Sequence, residues 1–185
     1  MTGQQLMITA VAIPSALDAG TDQSAGGTGG VMDFRECHAL REKHELEKWG
    51  DLDRCPTAME SLEYWRGSEY EERRLFIARL GQQTVGTCSV TLPLRDNTST
   101  AGILVDVSAA FRRQGWGRRL LEHVEAVAAD SGRTSFDAYC ELPDEAVGNE
   151  VRLLPAKSGA GGLPADDPAV AFAAAAGYEL EQVER

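Results

Sequence analysis

The sequence predicts an α/β fold, and three observations carry the prediction. Two apolar-rich runs, Leu75–Leu80 and Val85–Leu94, flank the polar turn Gly81-Gln-Gln-Thr84, the pattern of an antiparallel strand pair. A third run, Ala101–Val107, leads through an arginine- and glycine-rich turn into the amphipathic segment Gly115–Ala129, so that a strand, a turn and a helix follow one another directly. Two charged segments of helical character precede the strands, at Asp33–Trp49 and from Thr57 to about Tyr70.

The elements follow in order. Leu6–Ile13 is apolar and reads as a first strand or an irregular N-terminal segment, and Ala19–Gly30 (AGTDQSAGGTGG) reads as a flexible connector. In the first helix Phe34, Cys37, Leu40, His44 and Leu46 form a stripe; in the second, Met59, Leu62 and Trp65 recur at helical spacing, and the acidic run Glu69–Glu72 reads as its solvated end. Trp49 and Trp65 read as packing residues, and His38, His44 and His123 are isolated, with His123 expected at the surface. After the polar tip Arg95–Thr100, the continuous apolarity of Ile103, Leu104, Val105 and Val107 predicts a central strand buried on both faces, with Asp106 its exception. Leu120, Leu121, Val124, Val127 and Ala128 line one side of the following helix. A strand is expected at Thr134–Leu142 and a long irregular segment at Pro143–Asp167, of a length that is often a lid or binding loop. A short helix from Pro168 to Ala176, stopped by Gly177, and a closing strand at Tyr178–Val183 complete the chain, which shows no internal repeat.

Composition narrows the function. The 185 residues are enough for one domain, or one with a small appendage, and 43% hydrophobic content excludes disorder throughout. With 18 Lys and Arg against 29 Asp and Glu, the net charge of −11 repels phosphate backbones and anionic lipid, so neither nucleic acid nor a membrane is an expected partner. Cys37, Cys55, Cys88 and Cys140 are widely spaced, without a C-x-x-C pair or a histidine at ligand spacing, which predicts reduced thiols and no metal site. No stretch approaches the roughly 20 apolar residues of a membrane span, and the first basic residue is Arg35, so Leu6–Ile13 lacks the charged flank of a secretory signal. A cytoplasmic protein is expected.

Against this acidity, Arg112–Arg119 reads RRQGWGRR, four arginines and no acid. The segment lies where a strand ends and a helix begins, and a helix N-terminus offers free N–H groups and about half a positive charge. Gly115 and Gly117 keep side chains away from the backbone, and the arginines add donors, which together make a cradle for a pyrophosphate. Two other phosphate motifs fail. A P-loop needs Lys followed by Ser or Thr after its glycines, and the one such pair, Lys157-Ser158, lies in the Gly-rich loop; the dinucleotide fingerprint needs Gly or Ala where Leu120 stands.

What remains is [Q/R]-x-x-G-x-[G/A], present as Arg112-Arg113-Gln114-Gly115-Trp116-Gly117. With Val105-Asp106-Val107 and Phe111 before it, Arg118 and Leu120-Leu121 after it, and Ala169-Val-Ala-Phe172-Ala173-Ala-Ala-Ala-Gly177-Tyr178 about fifty residues on, the chain resembles the GNAT superfamily of N-acetyltransferases. The style of the sequence, with its PADDP turn and GYELEQVER ending, is similar to the amino-terminal half of longer tandem-GNAT proteins. The resemblance covers residues 31–185 as one acetyltransferase domain, with residues 1–30 as an N-terminal strand or tail and connector. It implies a mixed, mostly antiparallel sheet of six to seven strands with helices on both faces, and a splayed parallel pair, Ala101–Val107 and Thr134–Leu142, holding acetyl-CoA.

Carried over position by position, the resemblance implies that backbone groups of Val105 and Val107 bind the pantetheine arm. Arg112, Arg113, Gln114, Gly115, Trp116, Gly117 and Arg118 would surround the pyrophosphate, mainly through amides, with the Trp116 ring anchoring the turn. Asp166 stands where the family often has an Asn that contacts the cofactor. The implied reaction is direct attack of a small-molecule primary amine on the thioester, without metal, and the partner side is open to a homodimer or a tandem partner. The family's usual Tyr general acid is replaced by Ala173, which can donate nothing; the alternative reading is therefore a catalytically impaired acetyl-CoA-binding or structural module. Asp106 and Glu141 are the candidate bases: Asp106 is either an acid buried in an apolar strand or a strand-end carboxylate facing solvent or paired with an arginine.

Overall fold

The computed structural model describes residues 5–17, 30–143 and 152–184. The chain divides into two units, Met1–Tyr139 and Cys140–Arg185. The first holds a five-stranded sheet in the order β1-β2-β3-β4-β5, formed by Leu6–Ala10, Glu71–Leu80, Gln83–Pro93, Thr100–Val107 and Ser135–Ala138. Neighbours run antiparallel except β4 and β5, which are parallel. The fold is thus the mixed, mostly antiparallel α/β type, with five strands in the main sheet and two more in the second unit. Of the expected connector, residues 19–29 lie outside the described part and Gly30 begins the first helix; the strand before it, β1, is hydrogen-bonded to β2 along the sheet edge.

The two faces of the sheet bury different sets. On one, Leu75 and Ile77 of β2 join Val11 just after β1, Phe34 and Cys37 of helix α1 (Gly30–Trp49), and Leu62 of helix α2 (Ala58–Trp65), with Trp65 packed alongside. On the other, helix α3 (Trp116–Asp130) buries Leu120, Leu121, Val124 and Ala128, and His123 stacks edge-on against Phe76 at 4.8 Å. His123 is therefore an inner contact and not the surface residue expected, and its burial pushes its pKa down. Each fully buried Leu, Val or Phe contributes roughly 1.5–3 kcal/mol relative to exposure.

Several boundaries differ from the sequence expectation, each for a local reason. Helix α2 begins at a capping box, with Thr57 accepting from the Glu60 amide, and stops at Trp65 because Gly67 takes a left-handed φ of 70°. The chain is then free to start β2 at Glu71. The acidic run is thus not a helix end: Glu71 pairs with Arg73, Glu72 with Arg74 and Glu69 with Arg95, and the two-residue spacing of the first two pairs is that of strand neighbours on one face. The strand buried on both faces is β3, whose residues Val85–Val90 are all buried; in β4, Ala101 and Ile103 are buried but Leu104 is 43% exposed. The cause is that β5 is only four residues long and pairs with β4 over Thr100–Ile103 alone.

The second unit contains a hairpin of β6 (Leu153–Pro155) and β7 (Gly162–Pro164) where an irregular segment was expected, and helix α4 (Pro168–Ala175). Asp167 caps α4, Gly177 follows at φ 95°, and the Tyr178 amide donates to Ala173 O at 3.0 Å, closing a Schellman turn. The expected closing strand at Tyr178–Val183 is not formed. That segment instead accepts amides of the hairpin loop, Lys157 N to Leu180 O (2.8 Å) and Ser158 N to Glu181 O (3.0 Å), while Lys157 pairs with Glu179 and Glu181. Among the described residues no helix is long and apolar enough to cross a membrane.

Candidate active site

The parting of β4 from β5 opens the candidate site. Their pairing ends at Ile103 opposite Ala138, while β4 continues to Val107 against β3. The Ser108 amide donates to Val85 O at 2.8 Å, which fixes the alternation of the antiparallel ladder. Even-numbered residues of β4 exchange hydrogen bonds with β3, and the N–H and C=O of Val105 and Val107 point the other way, along the edge that β5 has left. The same alternation sends the side chains of Leu104 and Asp106 toward α1 and those of Val105 and Val107 toward α3.

The strand then makes a short 3-10 turn, Ala109–Phe111, and the loop 112–115 opens α3. Arg113 has φ 62° and Gly115 φ 84°, two left-handed residues that turn the chain sharply. Gly115 is the N-cap and gives no side-chain hydrogen bond, so the first amides of α3 are met by no cap. Gln114 is occupied locally, its Nε2 donating to Ala110 O at 3.0 Å, and Arg119 lies over the Trp116 ring at 5.5 Å. Trp116 is half-buried, in keeping with an anchoring ring. Left-handed residues in such a turn can bring neighbouring amides into a concavity suited to an anion.

Arg112 is tied down. Its Nη2 donates to Glu47 Oε2 at 2.7 Å, its Nη1 to the other oxygen of the same carboxylate, and its Nε to Val107 O at 3.0 Å. The hydrogen bond from Arg112 holds the Glu47 carboxyl below the usual range and raises the Arg112 guanidinium in turn. One turn earlier on α1, His44 places Nδ1 3.3 Å from Asp106 Oδ1, and His44 Nε2 is buried with no hydrogen-bond partner among the described residues. Asp106 thus pairs with a histidine, not an arginine, and its side chain is 37% exposed. Helix α1 clasps the end of β4 and the start of the loop with consecutive turns.

Glu141 follows β5 instead of belonging to it and is exposed; Asp166 is exposed in the turn before α4; Ala173 lies in α4. All three belong to the second unit. Sequence reasoning passed over Glu47 and took His44 as isolated. The signal was in the helical stripe: Phe34, Cys37, Leu40, His44 and Glu47 continue one face of α1, and a charged residue prolonging a buried stripe needs a partner. Beside this stripe, Arg41, Pro56, Ser61 and Tyr64 line a cleft of about 260 Å³.

The family model for the acetyltransferase (GNAT) family matches residues 38–147, more than half of the chain and including β4, the loop and α3. No curated protein matches the sequence significantly. Among solved structures, a tandem GNAT protein from the clavulanic acid biosynthesis pathway superposes with a TM-score of 0.62 at 22% identity, over 94% of this chain and 43% of that one. The chain therefore spans less than half the length of that tandem protein. An aminoglycoside acetyltransferase from an uncultured soil metagenomic sample, in complex with sisomicin, gives a TM-score of 0.59 at 18% identity over 97% and 93% of the two chains. A possible acetyltransferase from Clostridium difficile 630 gives 0.60 at 12% over 97% and 95%. At these identities the likenesses are of fold; with the family match and the strand-loop-helix geometry, the chain belongs to the GNAT acetyltransferase family.

Proposed function

We propose that the chain is an acetyl-CoA-dependent N-acetyltransferase acting on a primary amine of a small molecule, by direct attack within a ternary complex. The observation that carries this reading is the continuity between the backbone edge of β4, left by β5 at Val105 and at the Val107 N–H, and the uncapped N-terminus of α3. An extended amide-bearing arm ending in a pyrophosphate fits such a run: strand-like hydrogen bonds along the edge, then a cluster of N–H groups at its end. Bound there, acetyl-CoA would supply the activated acetyl group.

The chain's own residues then divide the work. Amides from Arg113 to Arg118, including those of Gln114, Gly115, Trp116 and Gly117, hold the pyrophosphate, and Arg112, committed to Glu47 and Val107 O, fixes the loop. Asp106, on the α1 side of β4, takes the proton of the attacking amine, with Glu141 the other candidate, and Asp166 is the remaining proposed cofactor contact. As the new C–N bond forms and the C–S bond breaks, the thiolate is protonated by water or by another donor, since Ala173 has none to give. The net charge of −11 favours a cationic acceptor.

Gly117→Asp tests the cofactor site. Gly117 is the second residue of α3, and a carboxylate there meets the pyrophosphate. Titration calorimetry with acetyl-CoA should show binding to the parent chain and none to the variant; unchanged affinity refutes the site. The Ala173 substitution favours a second reading, an acetyl-CoA-binding module without turnover. Thiol release from acetyl-CoA across a panel of amines separates the two, since turnover well above background with any amine removes the inert module.

A further inference from the structure

We infer that His44 is a positioning residue for acetyl transfer, holding Asp106 in the orientation in which it accepts the proton of the attacking amine. The inference rests on the transferase reading above and deepens it. Sequence spacing gave His44 no role, because its partner lies 62 positions away on another element.

The geometry assigns the two residues different parts. His44 Nδ1 stands 3.3 Å from Asp106 Oδ1, a close contact just beyond the usual length of a hydrogen bond, with side-chain exposures of 16% and 37%. His44 Nε2 is buried, so an incoming amine meets the carboxylate and not the imidazole. With Nδ1–H donating to Asp106, a neutral ring leaves a bare lone pair at Nε2. The other neutral tautomer would bury an N–H without an acceptor and turn a lone pair toward the carboxylate. The arrangement selects the Nδ1–H tautomer.

Other charges around the pair support the same assignment. On α1, Glu47 lies one turn from His44, and its carboxylate is committed to Arg112, which comes from the loop after β4. With the neighbouring carboxylate bound elsewhere, His44 is directed to Asp106. Asp106 sits on the face of β4 toward α1, just past Ile103, where β5 leaves the strand. In the transfer itself the neutral amine nitrogen bonds to the acetyl carbon, the carbon–sulfur bond breaks with its electron pair going to sulfur, the proton lost by the nitrogen passes to the outer Asp106 oxygen, and the thiolate takes a proton from water or another donor. His44 exchanges no proton and keeps the carboxylate aligned.

The test compares His44→Asn, whose amide can donate from near the Nδ1 position, with His44→Leu, which cannot. The assay is thiol release from acetyl-CoA with tyramine, histamine, spermidine and kanamycin as probe amines, with acetyl-CoA binding followed separately by calorimetry. The expected result is a kcat roughly 10- to 100-fold lower in His44→Leu, with acetyl-CoA affinity and acceptor KM within about twofold of the parent, a part of the roughly 100- to 10,000-fold that a general base supplies. His44→Asn should recover most of the loss, and Asp106→Asn should lose at least as much as His44→Leu. Long-range 1H–15N correlation of the imidazole should show the Nδ1–H tautomer in the parent chain and lose it in Asp106→Asn. Parent kcat in His44→Leu, or His44→Asn as impaired as His44→Leu, overturns the role of His44 and leaves the transferase reading standing. Acetyl-CoA binding with no turnover of any probe by the parent chain refutes the transferase reading, and this role with it.

Discussion

Gly86 offers the sharpest test of how the site is held, because it fixes the distance between β3 and β4 where the cleft opens. It lies in β3 opposite Val107. A methyl group added there would stand 2.2 Å from the Asp106 carbonyl oxygen and 3.2 Å from Leu120 Cδ1. An ordinary carbon–oxygen contact needs about 3.3 Å, so β4 would have to move by about 1 Å. The obstacle is backbone, which cannot rotate away as a side chain tip could. Overpacking of this kind costs roughly 1–3 kcal/mol, offset by roughly 0.4–1 kcal/mol from the stiffer unfolded chain. At about 2–4 °C per kcal/mol for a chain of this size, Gly86→Ala should lower Tm by several degrees. Gly102→Ala is the matched control: it lies on the neighbouring strand and meets only Thr91 Cβ at 3.6 Å, so it should leave Tm unchanged or raise it by one to four degrees. Scanning calorimetry of both variants, with and without acetyl-CoA, decides the matter. Equal effects of the two substitutions, or an unchanged Tm in Gly86→Ala, would refute the argument that this contact sets the β3–β4 spacing.

Four further outcomes follow from the structure. Burial pushes the Cys37 and Cys88 thiols up to about 12, with Asp33 adding to the shift at Cys37. In the folded chain both should resist a thiol reagent at pH 8, and denaturation should release them. The same shifts have a consequence for stability: below the unfolded value of 9.0 both states are protonated, and above it the unfolded thiols ionise while the folded ones do not. Stability should therefore fall between pH 9 and about 12 by up to about 1.4 kcal/mol per pH unit for each thiol, and urea melts of the Cys37→Ala, Cys88→Ala double variant should show a shallower slope. Thr57→Ala should cost about 1 kcal/mol, read as a Tm lower by two to four degrees, because the Glu60 amide loses its cap. Glu47→Gln should change stability by less than about 1 kcal/mol, since the Arg112 pair is half exposed, and what contribution there is should be present above the ordinary Glu value of 4.5 and disappear as pH falls below it.

The parts of the fold legible in the sequence are those set by local physics. Helix α3 announced itself through a period-3.6 stripe, four of whose five residues are fully buried. The turn at Gly81 and the stop at Gly177 follow from glycine's access to positive φ. The strand-loop-helix succession was legible for the same reason, as contiguous residues form it. What remained hidden depends on pairing at a distance. The length of β5 is decided by where it parts from β4, and Phe136-Asp-Ala-Tyr-Cys reads as strand throughout although the ladder ends at Ala138. Residues 69–72 read as a helix end because three acids in four positions, Glu69, Glu71 and Glu72, mask the alternation that Arg73 and Arg74 complete. The hairpin in the second unit was obscured by its prolines and glycines, which usually mark loops; Pro155 and Pro164 are instead terminal residues of its two strands.

The cationic segment changes meaning once the charges are placed. Four arginines in eight residues suggest that side chains do the work of holding an anion. In the folded chain Arg112 is neutralised by Glu47 and also holds the last carbonyl of β4, while Arg119 lies against the Trp116 ring. Neither guanidinium is positioned as a bare charge over the loop. On the proposed reading, the uncapped amides of α3 and of the turn between Arg113 and Gly115 are donors to the polyanion that are oriented by backbone conformation and lose no rotamer freedom when they bind. Side chains on a net-negative surface would have to keep their charge from neighbouring acids, as Arg112 does not. A helix terminus is not neutralised in that way. An acidic protein can therefore keep a site for a polyanion by using the backbone as the donor and leaving arginine to fasten the loop that presents it.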